Sequence, residues 1–133
     1  MAKEIFSHLM FEGSTKEAMT LYVSLFPRSE IMEYTEYDSG ENKGKLQFGK
    51  FLLNGRLFTC IDSPIKHNFS FTPALSIFVD CESSEELDRV FNILAEHGKV
   101  LMPLDNYGFS KLFGWVQDRF GVSWQLNLPS STG

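Results

Sequence analysis

The chain has 133 residues, with 17 acidic against 12 basic side chains and a formal charge of −5. That length fits one domain, or two small modules sharing a core, and needs no disulfide or metal staple to fold. No Lys/Arg cluster stands out, which argues against a nucleic-acid or anionic-membrane partner. No apolar run is long enough to span a bilayer, and no signal peptide or lipidation motif is present. Cys60 and Cys81 do not form a Cys-x-x-Cys pair and read as reduced thiols of a cytoplasmic protein.

Residues 4–11 are a short, mostly apolar run, expected to be a buried strand. A helix comes next. Ser14 and Glu17 have the spacing of a capping box. Ala18, Leu21, Tyr22, Leu25 and Phe26 make one apolar stripe, and Pro27 stops it. Residues 29–36 read as a strand and 38–44 as a polar loop. Strands over 45–53 and 56–61 are joined by Asn54-Gly55, a pair suited to a type I′ turn because both central residues need positive φ. Residues 62–72 form the link between the two halves of the chain, with Pro64 and Pro73 as punctuation.

The pattern then starts again. Residues 74–79 read as a strand, and Ser83 with Glu86 repeats the capping box. Leu87, Val90, Phe91, Leu94 and Ala95 form the second stripe, and Gly98 is the expected C′ residue. A cationic His97 would complement the helix dipole there. Strands are expected over 99–102, 112–118 and 122–128, with a loop over 103–111. Residues 130–133 read as a frayed tail. Phe48-Gly49 recurs as Phe113-Gly114, and Gly55 recurs as Gly121. Each half is thus β-α-β-β-β, module 1 spanning about 3–63 and module 2 about 72–129 of a single domain.

Two such modules resemble the vicinal oxygen chelate superfamily, which includes glyoxalase I, bleomycin-resistance proteins and extradiol dioxygenases. The segments His8-Leu-Met-Phe-Glu-Gly, Tyr22-Val-Ser-Leu-Phe-Pro-Arg-Ser, Cys60-Ile-Asp-Ser-Pro and Phe113-Gly-Trp-Val-Gln-Asp-Arg-Phe-Gly-Val-Ser-Trp-Gln are similar to its PhnB-like group. That group often carries the label 3-demethylubiquinone-9 3-methyltransferase. No glycine-rich strand-to-helix nucleotide motif accompanies the label in this sequence. The resemblance implies an α+β fold of two tandem βαβββ modules curving around a cavity. It also implies a small-molecule ligand and a homodimer. Its enzymes hold a divalent metal through residues of the first and last strands of each module.

Carried over residue by residue, the resemblance makes His8 and Gln125 the two candidate metal ligands. Thr59 corresponds to Gln125 by the offset between Gly55 and Gly121. The run 73–79 contains no His, Glu, Asp or Cys, so the ligand set is incomplete. Period-two alternation puts Cys60 and Asp62 on the face opposite Thr59. His8, Thr59, Gln125 and Trp115 are therefore candidate cavity contacts, with Tyr107 and Phe109 as a lid or an ordinary loop. Trp124 is expected in the core or cavity wall, His67 at a loop anchor, and Cys60 as a buried inert thiol. Three readings stay open. One is a small-molecule-binding protein, or an enzyme of unknown substrate, that has lost the usual metal set. The second is a metal-dependent lyase, isomerase or dioxygenase acting on vicinal oxygens. The third is an interaction module with a filled core.

Overall fold

The computed structural model describes residues 1–130; residues 131–133 of the expected tail lie outside the described residues. The chain divides into two compact units, Met1–Asn68 and the remainder from Phe69. In unit 1 the order is β1 (Ser7–Phe11), α1 (Thr15–Val23), β2 (Glu30–Glu36), β3 (Leu46–Leu53) and β4 (Arg56–Asp62). Unit 2 repeats it as β5 (Ser76–Asp80), α2 (Ser84–Ala95), β6 (Lys99–Asp105), β7 (Leu112–Gln117) and β8 (Ser123–Leu128). Each unit forms a four-stranded mixed sheet, in the orders β1-β4-β3-β2 and β5-β8-β7-β6. In each, the first strand pairs in parallel with the last, and the other pairings are antiparallel.

Each helix covers one face of its own sheet. In unit 1, Ala18, Met19, Tyr22 and Leu25 are buried with Leu9, Phe11, Phe51, Phe58 and Cys60. Phe51 stacks on Phe58 at 5.3 Å between ring centroids, and Tyr22 tilts against Phe51 at 6.5 Å. In unit 2, Leu87, Val90, Phe91 and Leu94 are buried with Val116, Trp124 and Leu126. The repeated glycine permits these contacts. A Cβ on Gly114 would lie 2.6 Å from the Phe91 ring, and one on Gly49 would lie 3.1 Å from Met19 Sδ and 3.0 Å from Cys60 Sγ. At both glycines the helix presses closely on the sheet.

The Asn54-Gly55 turn forms as the sequence requires, with φ of 51° and 80°. Its backbone is tied to Arg28, whose carbonyl accepts from Gly55 N–H at 2.8 Å. The α2 cap also forms: Ser83 Oγ accepts from Glu86 N–H at 3.1 Å, and Glu86 Oε1 accepts from Glu82 N–H at 2.9 Å.

Four local expectations are corrected. Ser14 makes no side-chain cap bond. Asp62, at the end of β4, takes that place, accepting from Gly13 N–H at 2.7 Å and Thr15 N–H at 3.1 Å. The parallel β1–β4 pairing brings Asp62 opposite Phe11, just before the helix, so a distant carboxylate outcompetes the local hydroxyl. Second, β1 starts at Ser7, its first residue paired with β4, and Glu4, Ile5 and Phe6 are exposed. Third, His97, not Gly98, adopts the left-handed conformation after α2, at φ 59°. Gly98 is needed for space, because a Cβ there would lie 2.4 Å from the Gln117 carbonyl oxygen. The His97 ring is well exposed, 3.8 Å from Glu96.

Fourth, β6 continues through Pro103 to Asp105, where the sequence suggests a loop. It is an edge strand, and its register shifts between Met102 and Asp105. A proline is tolerated there because an edge strand has a side that donates nothing to the ladder.

Candidate functional site

Each sheet has one face under its helix and one face turned the other way. Alternation assigns the residues. In unit 1, Cys60 and Asp62 point to the helix side: Cys60 Sγ is 3.8 Å from Met19 Sδ, and Asp62 caps α1. Thr59 therefore lies on the other face, as the sequence implies. A cross-strand row runs over that face, His8 opposite Thr59, Thr59 opposite Lys50, and Lys50 opposite Glu33. His8 Nδ1 and Thr59 Oγ1 are hydrogen-bonded at 2.7 Å. His8 is exposed, while Thr59 is buried.

In unit 2 the matching row is Phe78 opposite Gln125, Gln125 opposite Trp115, and Trp115 opposite Met102. Here a hydrogen-bond chain forms. Trp115 Nε1–H donates to Ser123 Oγ at 2.8 Å, Ser123 and Ser76 hydroxyls meet at 2.6 Å, and Gln125 Nε2 donates to Ser76 Oγ at 3.1 Å. The indole can only donate, so Ser123 Oγ accepts from it, and with the Ser76 proton given to the Pro73 carbonyl, 3.5 Å away, the Ser123 proton goes to Ser76. That order keeps the Gln125 amine as donor and leaves its carbonyl oxygen available on the face.

Aromatic rings border this chain. Phe113 shares the face with Trp115 and meets Phe109 edge-on at 5.0 Å, Tyr107 edge-on at 6.1 Å and Phe78 at 6.3 Å. Tyr107 and Phe109 stack on one another at 6.3 Å, and the Tyr107 hydroxyl donates to the Pro103 carbonyl at 2.6 Å. Their loop is thus packed onto the sheet by three rings, and both side chains remain exposed. Trp124 is on the helix side, fully buried, donating to Asp118 Oδ2 at 2.9 Å.

The candidate residues thus form two groups, His8 with Thr59 in unit 1 and Gln125, Trp115, Tyr107 and Phe109 in unit 2. The sequence alone did not reveal Ser76, Ser123, Phe78, Phe113 or Lys50. A period-two step from Gln125 reaches Ser123, and one from Trp115 reaches Phe113. Phe78, Ser76 and Lys50 become visible only through strand register. His67 anchors the link: its Nε2 lies 2.8 Å from Ser63 Oγ.

The donor chemistry does not fit a catalytic dication. The register puts Phe78 opposite Gln125 at the position where His8 faces Thr59. Unit 1 then offers one imidazole and one hydroxyl, and unit 2 one amide beside a phenyl ring, none of them anionic, so neither unit supplies the about three nitrogen, oxygen or sulfur ligands that catalytic zinc takes from the protein. Asp80, which ends β5 one residue beyond the expected strand, accepts instead from Asn127 Nδ2 at 2.8 Å. Among the described residues no three His, Cys, Asp or Glu side chains gather at one point. Burial pushes the Cys60 thiol up to about 12, helped by the Asp62 charge, which makes it a poor nucleophile or ligand.

The model of the family described as 3-demethylubiquinone-9 3-methyltransferase matches residues 3–127. A Bacillus cereus protein described as a putative 3-demethylubiquinone-9 3-methyltransferase, PhnB protein, is 52% identical, with 95% of this chain and 99% of that one covered and a TM-score of 0.92. A Pseudomonas aeruginosa protein is 28% identical, with 98% and 100% covered and a TM-score of 0.81. The FosX fosfomycin resistance protein of Listeria monocytogenes, solved as a mutant complexed with Mn(II) and 1S,2S-dihydroxypropylphosphonic acid, is 14% identical. It covers 98% of this chain and 95% of its own at a TM-score of 0.64, a likeness of fold. No curated protein matches the sequence. Two βαβββ units with this register, matched over nearly their whole length, make the chain a member of the PhnB-like 3-demethylubiquinone-9 3-methyltransferase family.

Proposed function

We propose that this protein binds a small organic molecule on the helix-free face of the unit 2 sheet, holding it by hydrogen bonds and aromatic contact in place of a chelated metal. The observation that carries this reading is the Trp115–Ser123–Ser76–Gln125 chain. A fully connected polar network bordered by exposed rings fixes one acceptor, the Gln125 carbonyl, in a defined direction. Binding sites combine such a placed polar group with apolar and aromatic walls. Function as one domain and as a homodimer, the latter common in the superfamily, belongs to the same proposal. No helix among the described residues is long and apolar enough to cross a membrane.

The metal-dependent reading draws no support from the donor set, and the reading as a filled interaction module none from the exposed rings of Tyr107, Phe109 and Phe78. The test uses uncharged 2-naphthol, an aromatic ring with one hydroxyl donor, observed by saturation-transfer NMR on the full chain. Saturable binding that survives EDTA and weakens in Gln125→Ala and Trp115→Ala supports the proposal. Binding that appears only after adding Zn(II), Mn(II) or Ni(II), or none at all, overturns it.

A further inference from the structure

The two units are copies of one pattern whose corresponding rows have diverged. Unit 2 carries phenyl, amide and indole where unit 1 carries imidazole, hydroxyl and ammonium. From unit 1 we infer an oxyanion seat formed by His8 and Lys50, with Thr59 as the residue that orients His8. The inference rests on the small-molecule reading above, extends it to unit 1 and assigns the chemistry that a ligand must have there.

Thr59 decides what His8 can do. Its side chain is 3% exposed, and its hydroxyl meets one partner among the described residues, His8 Nδ1 at 2.7 Å. A hydroxyl has one proton to place. Were Nδ1 the protonated nitrogen, it would donate to Thr59 Oγ1 and leave the hydroxyl proton buried with no acceptor, a cost of roughly 1–3 kcal/mol. The alternative costs nothing: Thr59 donates to Nδ1, and the ring proton sits on Nε2. Nε2–H is then a donor on the helix-free face, without the lone pair that a metal would need.

Lys50 is the next residue in the row, its strand two spacings from that of His8, or about 10 Å at the backbone. It shares the face with Thr59 and is half-buried, and its ammonium forms no ion pair among the described residues. Glu33 faces Lys50 across the next strand pair without bonding to it. The ammonium of half-buried Lys50 and an oriented N–H donor on one face form a seat for a carboxylate or a phosphate-type group, because charge-assisted hydrogen bonds are about twice as strong as neutral ones. The protein's overall charge of −5 makes such a seat a local feature, not a consequence of bulk basicity.

The test is a titration of the full chain with inorganic phosphate and, separately, with acetate, at constant ionic strength. It is observed through long-range imidazole 15N spectra and the amides of Thr59 and Lys50. The expected result is an Nε2-protonated His8 in the free protein and saturable shifts at His8 and Lys50 with one of the two anions. Saturation by phosphate alone assigns a phosphate-type group, and by acetate alone a carboxylate. Lys50→Met should weaken binding about tenfold. His8→Gln, which keeps an N–H donor, should bind more tightly than His8→Phe. An Nδ1-protonated ring, linear shifts with both anions, or equal affinity in Lys50→Met overturns the inference. Since 2-naphthol carries no charge, loss of anion binding with naphthol binding intact removes this seat alone, and loss of both removes the small-molecule reading.

Discussion

Asp62→Ala should destabilise unit 1 more than any surface change of similar size. The carboxylate is 2% exposed and accepts from Gly13 N–H at 2.7 Å, Thr15 N–H at 3.1 Å and Leu46 N–H at 2.9 Å, besides the Thr15 hydroxyl. It joins the start of α1, the start of β3 and the end of β4. Gly13 is exposed and can turn to water, so the cost falls on the buried donors of Thr15 and Leu46. At roughly 1–3 kcal/mol for each of these two unpaired buried donors, the loss is about 2–6 kcal/mol, a large share of a domain's total stability. Asp62→Asn keeps one acceptor but aims an amine at a backbone N–H, so it should cost about 2 kcal/mol.

The same contacts create an acid limb. Burial by itself would raise the Asp62 carboxyl, but the hydrogen bonds from Thr15, Leu46 and Gly13 outweigh it and hold the group below the usual range. An unfolded Asp titrates near about 3.9, so below that pH the unfolded chain binds the proton first. The stabilisation from this group is complete above that value and is lost as pH falls through the folded-state value. Urea denaturation observed by far-UV circular dichroism from pH 2 to 7, with amide exchange at Gly13, Thr15 and Leu46, measures both effects. The reasoning fails if Asp62→Ala costs less than about 1 kcal/mol at pH 7, or if the difference between wild type and Asp62→Asn stays constant into acid.

Other contacts give equally direct outcomes. Ser83→Ala should cost about 1 kcal/mol because it removes the α2 cap, whereas Ser14→Ala should fall within about 0.5 kcal/mol, and paired thermal melts separate the two. Gly114→Ala should cost about 1–3 kcal/mol in urea, since Phe91 and the Leu104 methyl at 2.5 Å must both move; a neutral result would mean that α2 is free to lift. Burial, the larger cause, pushes the thiols of Cys60 and Cys81 up to about 12, with added repulsion from Asp62 and from Glu86 and Asp80 respectively. Neither should react with Ellman's reagent at pH 8 until urea unfolds the chain, and fast native labelling would contradict their burial.

Much of this fold was legible without coordinates because its determinants are local. The two β-α-β-β-β units, the positive-φ turn at Asn54-Gly55 and the α2 cap at Ser83 arise from backbone preferences within a few residues. Alternation alone separated Thr59 from Cys60 and Asp62. Features controlled by a partner distant in the chain were not legible. Asp62 displaces Ser14 as the cap because β4 pairs with β1, and Gly98 is set by the Gln117 carbonyl rather than by φ. Pro103 lies within a strand because that strand is at a sheet edge. The site divides in the same way. His8 and Gln125 stand out as residue types, but their roles depend on the residues that register places opposite them. Thr59 binds Nδ1 of His8, Phe78 stands where a second ligand would be, and Ser76 and Ser123 orient the Gln125 amide. Hydrogen bonds and donor sets between strands depend on which residues meet in space, and only the tertiary structure decides that.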